Sequence, residues 1–348
     1  MLPDISLLVP ARNEEKVIGN CIDSLLNLDY PKNKLEIIVS IDGSTDKTLE
    51  ICKKYGNKVK VIESNPKNCK AEALNEVISI AKGDVIGIYD ADCIVKRDSL
   101  KKVAKHFSNK DIAGVSCALK SSNKNQNILT RTLSIETCFM SFAEHFLHSK
   151  GINSIFFGRN MFIRKSILEK IGKFDETTYM EDGELNIKLR RLGYKIVFEP
   201  KAIAWTEEPS SIKSFIRQRR RWSRGFIRLT KKYPYESFRN FISDTLHGIP
   251  FYISPLGVIS IISLIFLLFF NLPLIFISPL LALFLFYFYL LVRSRLFFKE
   301  SLKDLILVPL FFIIDNLFIV IMLKSWYDEK TNKEMKWFRA DRSGLVLK

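Results

Sequence analysis

The chain has 348 residues, 47% of them hydrophobic, and a formal net charge of +16. All six cysteines precede residue 140 and none forms a CxxC pair, which argues against a disulfide framework or a zinc site and favours a reducing cytosol. The positive charge predicts a polyanionic partner, and the densest basic stretch, 213–232, directly precedes long apolar segments. We therefore expect anionic membrane lipids as partners and no nucleic-acid binding.

Apolar runs and helical spacing alternate through the first 90 residues. Strands are predicted at 5–10, 35–42, 58–64 and 84–90, and helices at 14–27, 45–56 and 71–83. This alternation indicates an α/β fold with a parallel, doubly wound sheet. The sequence has neither a P-loop nor a GxGxxG stretch, so no motif indicates an NTPase or a dinucleotide-dependent enzyme.

Polar residues follow the predicted strands. The first strand runs into Arg12 and Glu14, the second ends at Asp42, and the fourth ends at Asp90, two residues before Asp92. In such sheets ligands bind beyond the carboxyl ends of the strands. Asp90 and Asp92 point to the same side of an extended backbone, where Mg²⁺ or Mn²⁺ bound to phosphate would offset their repulsion. The alternative is a solvated turn in which Asp92 caps the next helix.

A second acidic cluster begins at Met180, in the stretch MEDGELNIKLRRLGY. Glu181 and Asp182 stand at the start of a predicted helix, where the helix dipole favours negative charge. That purely structural role is one interpretation. The other is catalytic, because a carboxylate in this position could accept a proton from a sugar hydroxyl.

A basic amphipathic helix is predicted next, around the stretch RQRRRWSRG. Its apolar face comprises Ile212, Phe215, Ile216, Trp222, Phe226 and Leu229. A helix of this kind before a membrane span is expected to lie in the bilayer interface. The predicted membrane anchors are Arg217, Arg219, Arg224 and Arg228. Gln218, Arg221 and Trp222 are expected to face the site instead.

Three apolar segments follow, at about 251–270, 272–292 and 305–323. Each is long enough to cross a bilayer core of roughly 30 Å as a helix. Pro309 and Asp315 interrupt the third, which is either a full span or a re-entrant segment. A third full span would place the basic C-terminal tail outside, against the positive-inside rule, so the topology stays open.

Seven motifs in order carry a resemblance to a known family. They are VPARNEE (9–15), SIDGSTD (40–46), CKAEALN (69–75), DADCIVKRDSL (90–100), FGRNMFIRK (157–165), MEDGELNIKLRRLGY (180–194) and QRRRW (218–222). Together they resemble the family-2 glycosyltransferases, in the membrane-bound branch with cellulose, chitin, hyaluronan and poly-N-acetylglucosamine synthases and ceramide glucosyltransferase. The resemblance covers about residues 4–225.

The resemblance implies a GT-A type, Rossmann-like and mostly parallel sheet, followed by an interfacial helix and C-terminal transmembrane helices. It implies that the nucleotide sugar is bound by Pro10, Ala11, Arg12, Glu14, Asp42, Lys70 and Asp90. It implies that Asp90 and Asp92 bind Mg²⁺ or Mn²⁺, with Asp92 the more direct ligand, and that Asp182 is the catalytic base. It places Glu181, Gln218, Arg221 and Trp222 at the diphosphate and acceptor. Arg159 either reaches the acceptor or forms a structural ion pair.

Two positions depart from the family pattern. Met180 replaces the usual Thr before the Glu-Asp pair, and Glu184 replaces the Asp two residues after it. Met180 supplies no hydroxyl near the acceptor, which leaves acceptor choice open. The absence of predicted spans before the catalytic part also makes a long processive product less certain than the QxxRW motif implies.

We therefore expect an inverting, metal-dependent glycosyltransferase that uses a UDP-sugar, with glucose or N-acetylglucosamine favoured, and a lipid or growing glycan as acceptor. The alternatives are transfer of one sugar to a polyprenyl phosphate and a catalytically silent nucleotide-binding membrane scaffold. The expected organisation is a catalytic domain at 1–208, an interfacial segment at 209–250, a membrane region at 251–323 and a basic tail at 324–348. No secretory signal is expected, and the catalytic domain is expected on the cytosolic side of the cell membrane.

Overall fold

The structure is a computed structural model that describes residues 2–65, 67, 69–235, 278–333 and 342–344. The first predicted span, 251–270, lies outside the described residues, and the second, 272–292, is described only from Ser278 onward. Side chains in the helix that starts there are described from residue 285.

Eight strands form one mixed sheet. The strands are β1 (Ile5–Ala11), β2 (Leu35–Asp42), β3 (Lys60–Ser64), β4 (Val85–Ile88), β5 (Ile94–Val95), β6 (Ile112–Ser121), β7 (Met161–Arg164) and β8 (Lys195–Thr206), in the order β3-β2-β1-β4-β7-β6-β8-β5. The first four pair in parallel, as the alternating sequence predicts. Strand β7 then inserts antiparallel between β4 and β6, so the sheet is mostly parallel rather than wholly so.

Both faces of the sheet are buried, because successive side chains of each central strand enter different cores. Leu7 and Val9 of β1 belong to one apolar cluster, whereas Leu8 between them belongs to the other. The helices that cover the sheet in the catalytic part are α1 (Ile18–Leu26), α2 (Thr48–Lys53), α3 (Lys70–Ile80), α4 (Ser99–His106), α5 (Ile128–Ser149), α6 (Lys165–Lys170) and α7 (Glu181–Arg191). Burial on two sides explains why these strands are continuous apolar runs.

Three longer helical segments complete the described chain. The basic helix is α8 (Ile212–Lys232), and the C-terminal helices are α9 (Ser278–Phe297) and α10 (Val308–Lys330), with a 3₁₀ turn at Leu302–Leu307 before α10. Phe139 of α5 packs against Tyr287 of α9 at a ring distance of 5.1 Å, and Phe311 and Phe312 of α10 share the same apolar cluster. The C-terminal helices therefore pack directly on the catalytic domain.

Ion pairs fix the loop between α9 and α10. Glu300 accepts from Lys120 and Lys124, each at 2.5 Å, and Asp304 accepts from Arg131 at 2.6 Å. Arg295 also pairs with the buried Asp304. Because the pairs with Lys120, Lys124 and Arg131 join residues more than 170 positions apart, they hold the loop against β6 and α5.

The described part of the chain has one helical segment that is long and apolar enough to cross a membrane. It is the 29-residue segment Leu302–Lys330, whose most apolar 18-residue window has a mean hydropathy of 2.7 and is about one third buried against the rest of the protein. The third predicted span, 305–323, falls inside this segment. The helix continues seven residues further than that span, through Asp328 and Glu329 to Lys330.

The membrane-anchor role predicted for Arg219 and Arg224 is wrong, because both side chains are buried. Arg219 pairs with Glu136 of α5 at 2.5 Å, and both Arg224 and Arg228 pair with Glu329 of α10. Arg224 is only 1% exposed, so it is not available to lipid head groups. The acidic residues that these arginines contact lie some 80 to 110 positions away in sequence. Ion pairing within the protein, rather than membrane anchoring, accounts for this half of the basic stripe.

Candidate active site

A cavity of about 600 Å³ opens at the carboxyl edge of the parallel strands. Its lining comes from the ends of β1, β2 and β4, the start of α3, the start of α7, and the facing sides of α8 and α10. The catalytic candidates that line it are Pro10, Glu14, Asp42, Lys70, Asp90, Arg159, Glu181, Asp182, Gln218, Arg221 and Trp222. Residues from seven separate places in the sequence therefore meet in one space.

Lys70 stands at the centre of the polar half of the cavity. Its Nζ donates to Asp90 Oδ1 at 2.6 Å and to the backbone oxygen of Gly158 at 2.7 Å, and it lies 3.4 Å from Glu181 Oε1. Although burial opposes a charge on Lys70, Asp90 and Glu181 raise its pKa. Burial likewise opposes ionisation of Asp90, but Lys70 and Arg159 lower the pKa of Asp90 to about 2. Both groups are therefore charged at neutral pH.

Asp92 lies on the same turn as Asp90 but has different hydrogen-bond partners. It is 3% exposed, and its Oδ2 accepts hydrogen bonds from Thr206 Oγ1 at 2.8 Å and from the Glu207 backbone N–H at 3.0 Å. Its other oxygen, Oδ1, is buried and accepts no hydrogen bond from any described residue. A buried carboxylate oxygen without a donor costs free energy unless a cation completes it. Asp92 therefore has one oxygen that could complete the coordination of a cation, although Asp92 itself does not line the cavity.

The donor set fits a metal ion that also binds substrate. Across the described residues no three His, Cys, Asp or Glu side chains converge to hold a metal. Asp90 and Asp92 are two carboxylates only, and Mg²⁺ or Mn²⁺ held by one or two carboxylates takes its remaining ligands from water and substrate phosphates.

A C-terminal segment that the sequence did not mark as part of the site also reaches it. Arg342 donates to Asp92 Oδ2 at 2.7 Å and to Glu14 Oε2 at 3.2 Å. The next two residues, Ser343 and Gly344, donate backbone N–H groups to Glu207 at 2.8 and 2.9 Å. Although burial opposes its charge, Asp92 and Glu14 raise the pKa of Arg342. A cationic segment from the chain end therefore covers the acidic corner.

Asp182 begins the first turn of α7 and points toward the loop that precedes β7. Gly158 of that loop has a φ of +74°, and a Cβ at this position would lie 3.1 Å from Asp182 Oδ2. The Gly183 backbone N–H donates to Asp182 Oδ1 at 2.9 Å. Burial and then the charge of Glu181 raise the pKa of Asp182 to about 7, against the opposing charges of Lys70 and Arg221. A carboxyl with this pKa can accept a proton near neutral pH.

Helix α8 forms one wall of the cavity with Gln218, Arg221 and Trp222. The three residues are all partly buried. Arg219 stacks over the Trp222 ring, with its Cζ 4.6 Å from the ring centroid, while pairing with Glu136. One face of Trp222 is therefore already covered by a side chain of its own helix.

Two of the expected nucleotide residues do not line the cavity. Ala11 is fully buried in β1, where it pairs with Ile41 of β2. Arg12 lies beside the cavity, with its Nη1 3.8 Å from Asp42 and 3.3 Å from the Lys67 backbone oxygen. Asp42 is 3% exposed and accepts from the Lys67 backbone N–H. Arg12 is therefore placed to orient the loop around Asp42.

The two departures from the family pattern have structural explanations. Met180 packs where α7 and α8 approach most closely, since a Cβ on Gly225 would lie 2.8 Å from the Met180 Cβ. Glu184 is fully buried, accepts a hydrogen bond from Tyr233 at 2.6 Å and forms an ion pair with Lys188 at 3.0 Å. Both residues therefore join α7 to α8.

Glu207 and Glu208 follow β8 and were also missed from sequence. Glu208 lines the cavity and accepts from Thr137 at 2.6 Å, and burial raises its pKa to about 7. The signal was present, because the pair ends a long strand just as Asp90 ends β4. Strands were predicted only through residue 90, so the polar residues after β8 were not predicted to lie at the site.

Comparisons with known proteins agree with this geometry. The family profile described as "Glycosyltransferase like family 2" matches residues 3–225. A Bacillus subtilis protein described as a probable glycosyltransferase, YdaM, is 39% identical over 232 residues, which cover 64% of this chain and 55% of the relative. A beta-monoglucosyldiacylglycerol synthase of Synechocystis is 29% identical over 229 residues, covering 64% of this chain and 48% of the relative. The chain spans about half the length of these curated relatives.

A solved structure has the same fold over nearly the whole chain. It is the mannosyltransferase PcManGT from Pyrobaculum calidifontis in complex with GDP-Man and Mn²⁺, with a TM-score of 0.61 and 18% identity. The match covers 96% of this chain and 89% of that one. The α/β fold of GT-A type expected from the motifs is thereby confirmed. Because the family profile covers most of the chain, the protein belongs to the glycosyltransferase family 2.

Proposed function

We propose that the protein transfers a sugar from a UDP-sugar to a hydroxyl or phosphate group of a lipid or glycan acceptor, with inversion at the anomeric carbon. The observation that supports this most directly is a pair of unlike carboxyl groups in one cavity. Asp90 is ionised next to Lys70, whereas the pKa of Asp182 is raised to about 7. Carboxyl groups whose environments separate their pKa values have different tasks.

The donor half of the proposed site is the polar end of the cavity. Asp42 and Glu14 line it near the carboxyl ends of β1 and β2, where nucleotides bind in sheets of this kind. Lys70 and Arg159 bring positive charge, which stabilises the diphosphate as the bond to the sugar breaks. Arg159 Nε is buried and donates to no described residue, so it is free to bind a donor oxygen.

The transfer step requires one base. Asp182 removes the proton from an acceptor hydroxyl, whose oxygen forms a bond to the anomeric carbon as the bond from that carbon to the diphosphate oxygen breaks. UDP leaves with the bond electrons, and Asp182 holds the proton. Arg221 lies close enough to act on the charge of Asp182, and so favours its ionised, proton-accepting form. An acceptor phosphate arrives already ionised and needs no base.

A divalent metal fits the acidic corner. Asp90 and Asp92 would hold Mg²⁺ or Mn²⁺, which when bound neutralises the charge that develops on the diphosphate. The unpartnered Oδ1 of Asp92 favours this assignment. Arg342 donates to Asp92 Oδ2, so its positive charge would oppose a cation at that carboxylate.

Membrane attachment through the C-terminal region is part of the proposal. The segment Leu302–Lys330 has the length and hydropathy of a span, and it packs on α8 beside the cavity. Nucleotide sugars are cytosolic, so we propose that the catalytic domain lies on the cytosolic side of the cell membrane. A silent nucleotide-binding scaffold is the competing function. It is disfavoured because a scaffold has no need of a carboxyl group tuned for proton transfer.

The experiment uses the purified full chain in nanodiscs, a panel of UDP- and GDP-sugars, Mg²⁺ or Mn²⁺, and a total lipid extract as acceptor. We expect nucleotide release with a UDP-sugar, and Asp182→Asn should lower the rate about 10²- to 10⁴-fold with a hydroxyl acceptor. Asp111→Asn, an exposed carboxylate outside the cavity, is the matched control and should keep full activity. Nucleotide release from GDP-sugars but not from UDP-sugars would show that the donor is a GDP-sugar. A folded protein that releases nothing would favour the silent scaffold.

A further inference from the structure

The cavity has a second half that the donor does not need. One wall of the cavity is apolar, formed by Phe226 and Leu229 of α8 and by Phe318, Ile319, Met322 and Leu323 of α10, while Tyr179, Arg190 and Thr230 also line the cavity. The six side chains of the apolar wall, which we call the apolar groove, include no hydrogen-bonding group. A sugar chain lying against them would lose water from its hydroxyls without gaining partners, which is unfavourable.

The apolar groove begins next to the catalytic base. A Cβ on Gly183, the residue after Asp182, would lie 2.8 Å from the Leu229 Cδ1. Leu229 is buried at this end, whereas Phe226 is 39% exposed. A ligand whose reactive group meets Asp182 therefore extends directly along apolar side chains.

The other end of the groove opens on the outer surface of the apolar helix. Ile319 is 42% exposed and Leu323 is 66% exposed, and both belong to the segment with the hydropathy of a membrane span. The neighbouring Val320 is 64% exposed, so apolar surface continues around α10 beyond the groove. A groove that leads from a reactive carboxyl to a lipid-facing surface fits a molecule with a polar head and a hydrocarbon tail.

The aromatic residue expected at the acceptor is already in contact with a neighbouring side chain. Trp222 is the aromatic residue that the family motif places at the acceptor, and Arg219 covers one of its faces. Met140 and Met180 also line the cavity. Flexible thioethers adapt to an irregular apolar ligand and do not hydrogen-bond hydroxyls as a glycan requires.

From this arrangement we infer that the acceptor is a lipid whose hydrocarbon chain lies in the apolar groove, with its reactive head at Asp182. This inference rests on the proposed function and narrows its acceptor from lipid or glycan to lipid. Two sources share this chemistry, a glycerolipid with a free hydroxyl and a polyprenyl phosphate. A hydroxyl head requires Asp182 as base, whereas a phosphate head does not.

Transfer assays in nanodiscs test the acceptor class with four probes: dioleoylglycerol, dibutyrylglycerol, undecaprenyl phosphate and chitopentaose. We expect a value of kcat/KM at least about tenfold higher for dioleoylglycerol or undecaprenyl phosphate than for either short or sugar acceptor. The better of the two lipids identifies the head group. Equal or better transfer to chitopentaose, or no dependence on chain length, would overturn the inference.

Two variants test the groove itself. Met322→Glu places a charge in it, and Met322→Trp fills it while keeping it apolar. Both should reduce the preference for the long-chain over the short-chain lipid to within about twofold. Val320→Glu puts the same charge two residues earlier on the same helix, at a position that is 64% exposed, and should keep the preference. A loss of preference in Val320→Glu equal to that in Met322→Glu would show that only membrane insertion was disturbed, and would overturn the assignment.

Photolabelling separates failure of this inference from failure of the proposed function, because it requires no turnover. A dioleoylglycerol with a diazirine in its acyl chain should label the peptide that contains residues 318–323. Excess unlabelled dioleoylglycerol should suppress this labelling, and Met322→Trp should abolish it. Labelling that the competitor suppresses, in a protein that transfers no sugar, would support lipid binding in the groove and contradict the proposed enzymatic activity. Labelling that competitor and variant leave unchanged would reject the groove.

Discussion

Arg342 donates a hydrogen bond to Asp92 at 2.7 Å, across 250 positions of sequence. The guanidinium group also contacts Glu14, so a cation from the chain end lies between two carboxylates at the edge of the donor site. The following backbone N–H groups are bound to Glu207. The positive charge of Arg342 therefore offsets part of the negative charge of this acidic corner.

This contact predicts competition between Arg342 and a divalent metal. Arg342→Met should increase the affinity for Mn²⁺ in the absence of nucleotide by about 3- to 10-fold, because a charged group no longer competes for Asp92. Calorimetric titration or the Mn²⁺ spin-resonance signal measures this affinity. Arg97→Met removes the same charge from an exposed site and controls for net charge. Equal affinities in the two variants would contradict the prediction.

The pKa of Asp182 predicts a pH dependence. The base must be ionised, so kcat/KM for a hydroxyl acceptor should rise about tenfold per pH unit below pH 7 and level off above it. Glu181, Lys70 and Arg221 are the charged groups that set this value. Glu208 titrates in the same range, and Glu208→Gln should leave the rise in place if Asp182 causes it. If the rise disappears in Glu208→Gln, Glu208 rather than Asp182 causes the pH dependence.

The same pKa predicts a cost in stability. The folded-state pKa of Asp182 exceeds its usual value of 3.8, so the protonated carboxyl favours folding. That contribution is fully present below about pH 4 and is lost as pH rises through 7. Asp182→Asn should therefore raise the Tm by a few degrees at pH 8 and change it little at pH 4. Thermal unfolding at the two pH values measures the difference, and equal shifts would contradict it.

Gly158 should be required for activity beyond its role in the fold. Gly158→Ala adds a Cβ about 3.1 Å from Asp182 Oδ2, which displaces the base and should lower kcat by roughly 10- to 100-fold. Gly151 is a matched control with a φ of +80° and nothing within 4 Å of its added Cβ. Both variants should lose about 1 kcal/mol of stability through backbone strain. An equal loss of kcat in both would show that strain, rather than the position of Asp182, is responsible.

The buried Arg219–Glu136 pair should contribute strongly to stability. Arg219→Met leaves Glu136 buried without its cation and should cost about 3 kcal/mol, measured as a fall in Tm in detergent. Lys213→Met on the exposed side of the same helix should change stability by less than about 0.5 kcal/mol. The double variant with Glu136→Leu should recover most of the loss, because no lone buried charge remains. Failure to recover would show that Arg219 acts through Trp222 packing instead.

The order of strands and helices in the first half follows from local patterns. Apolar runs produced β1, β2 and β4, because strands buried on both faces cannot alternate with polar residues. Polar residues at their ends, among them Asp42 and Asp90, marked the edge where the cavity lies. These features depend only on residues that are neighbours in sequence. Asp182 and Arg221 were instead predicted from the ordered family motifs.

Other features depend on partners far along the chain. No local pattern pairs Arg219 with Glu136 or Arg224 with Glu329, and the arginines therefore resembled membrane anchors. The antiparallel insertion of β7 and the approach of Arg342 to Asp92 are likewise long-range. A charged side chain has the same local sequence whether it meets lipid, water or a carboxylate, because its free energy depends on the groups that folding brings around it. Composition and spacing thus predict which edge of the sheet carries the cavity, whereas packing between distant helices determines which charged side chains line it.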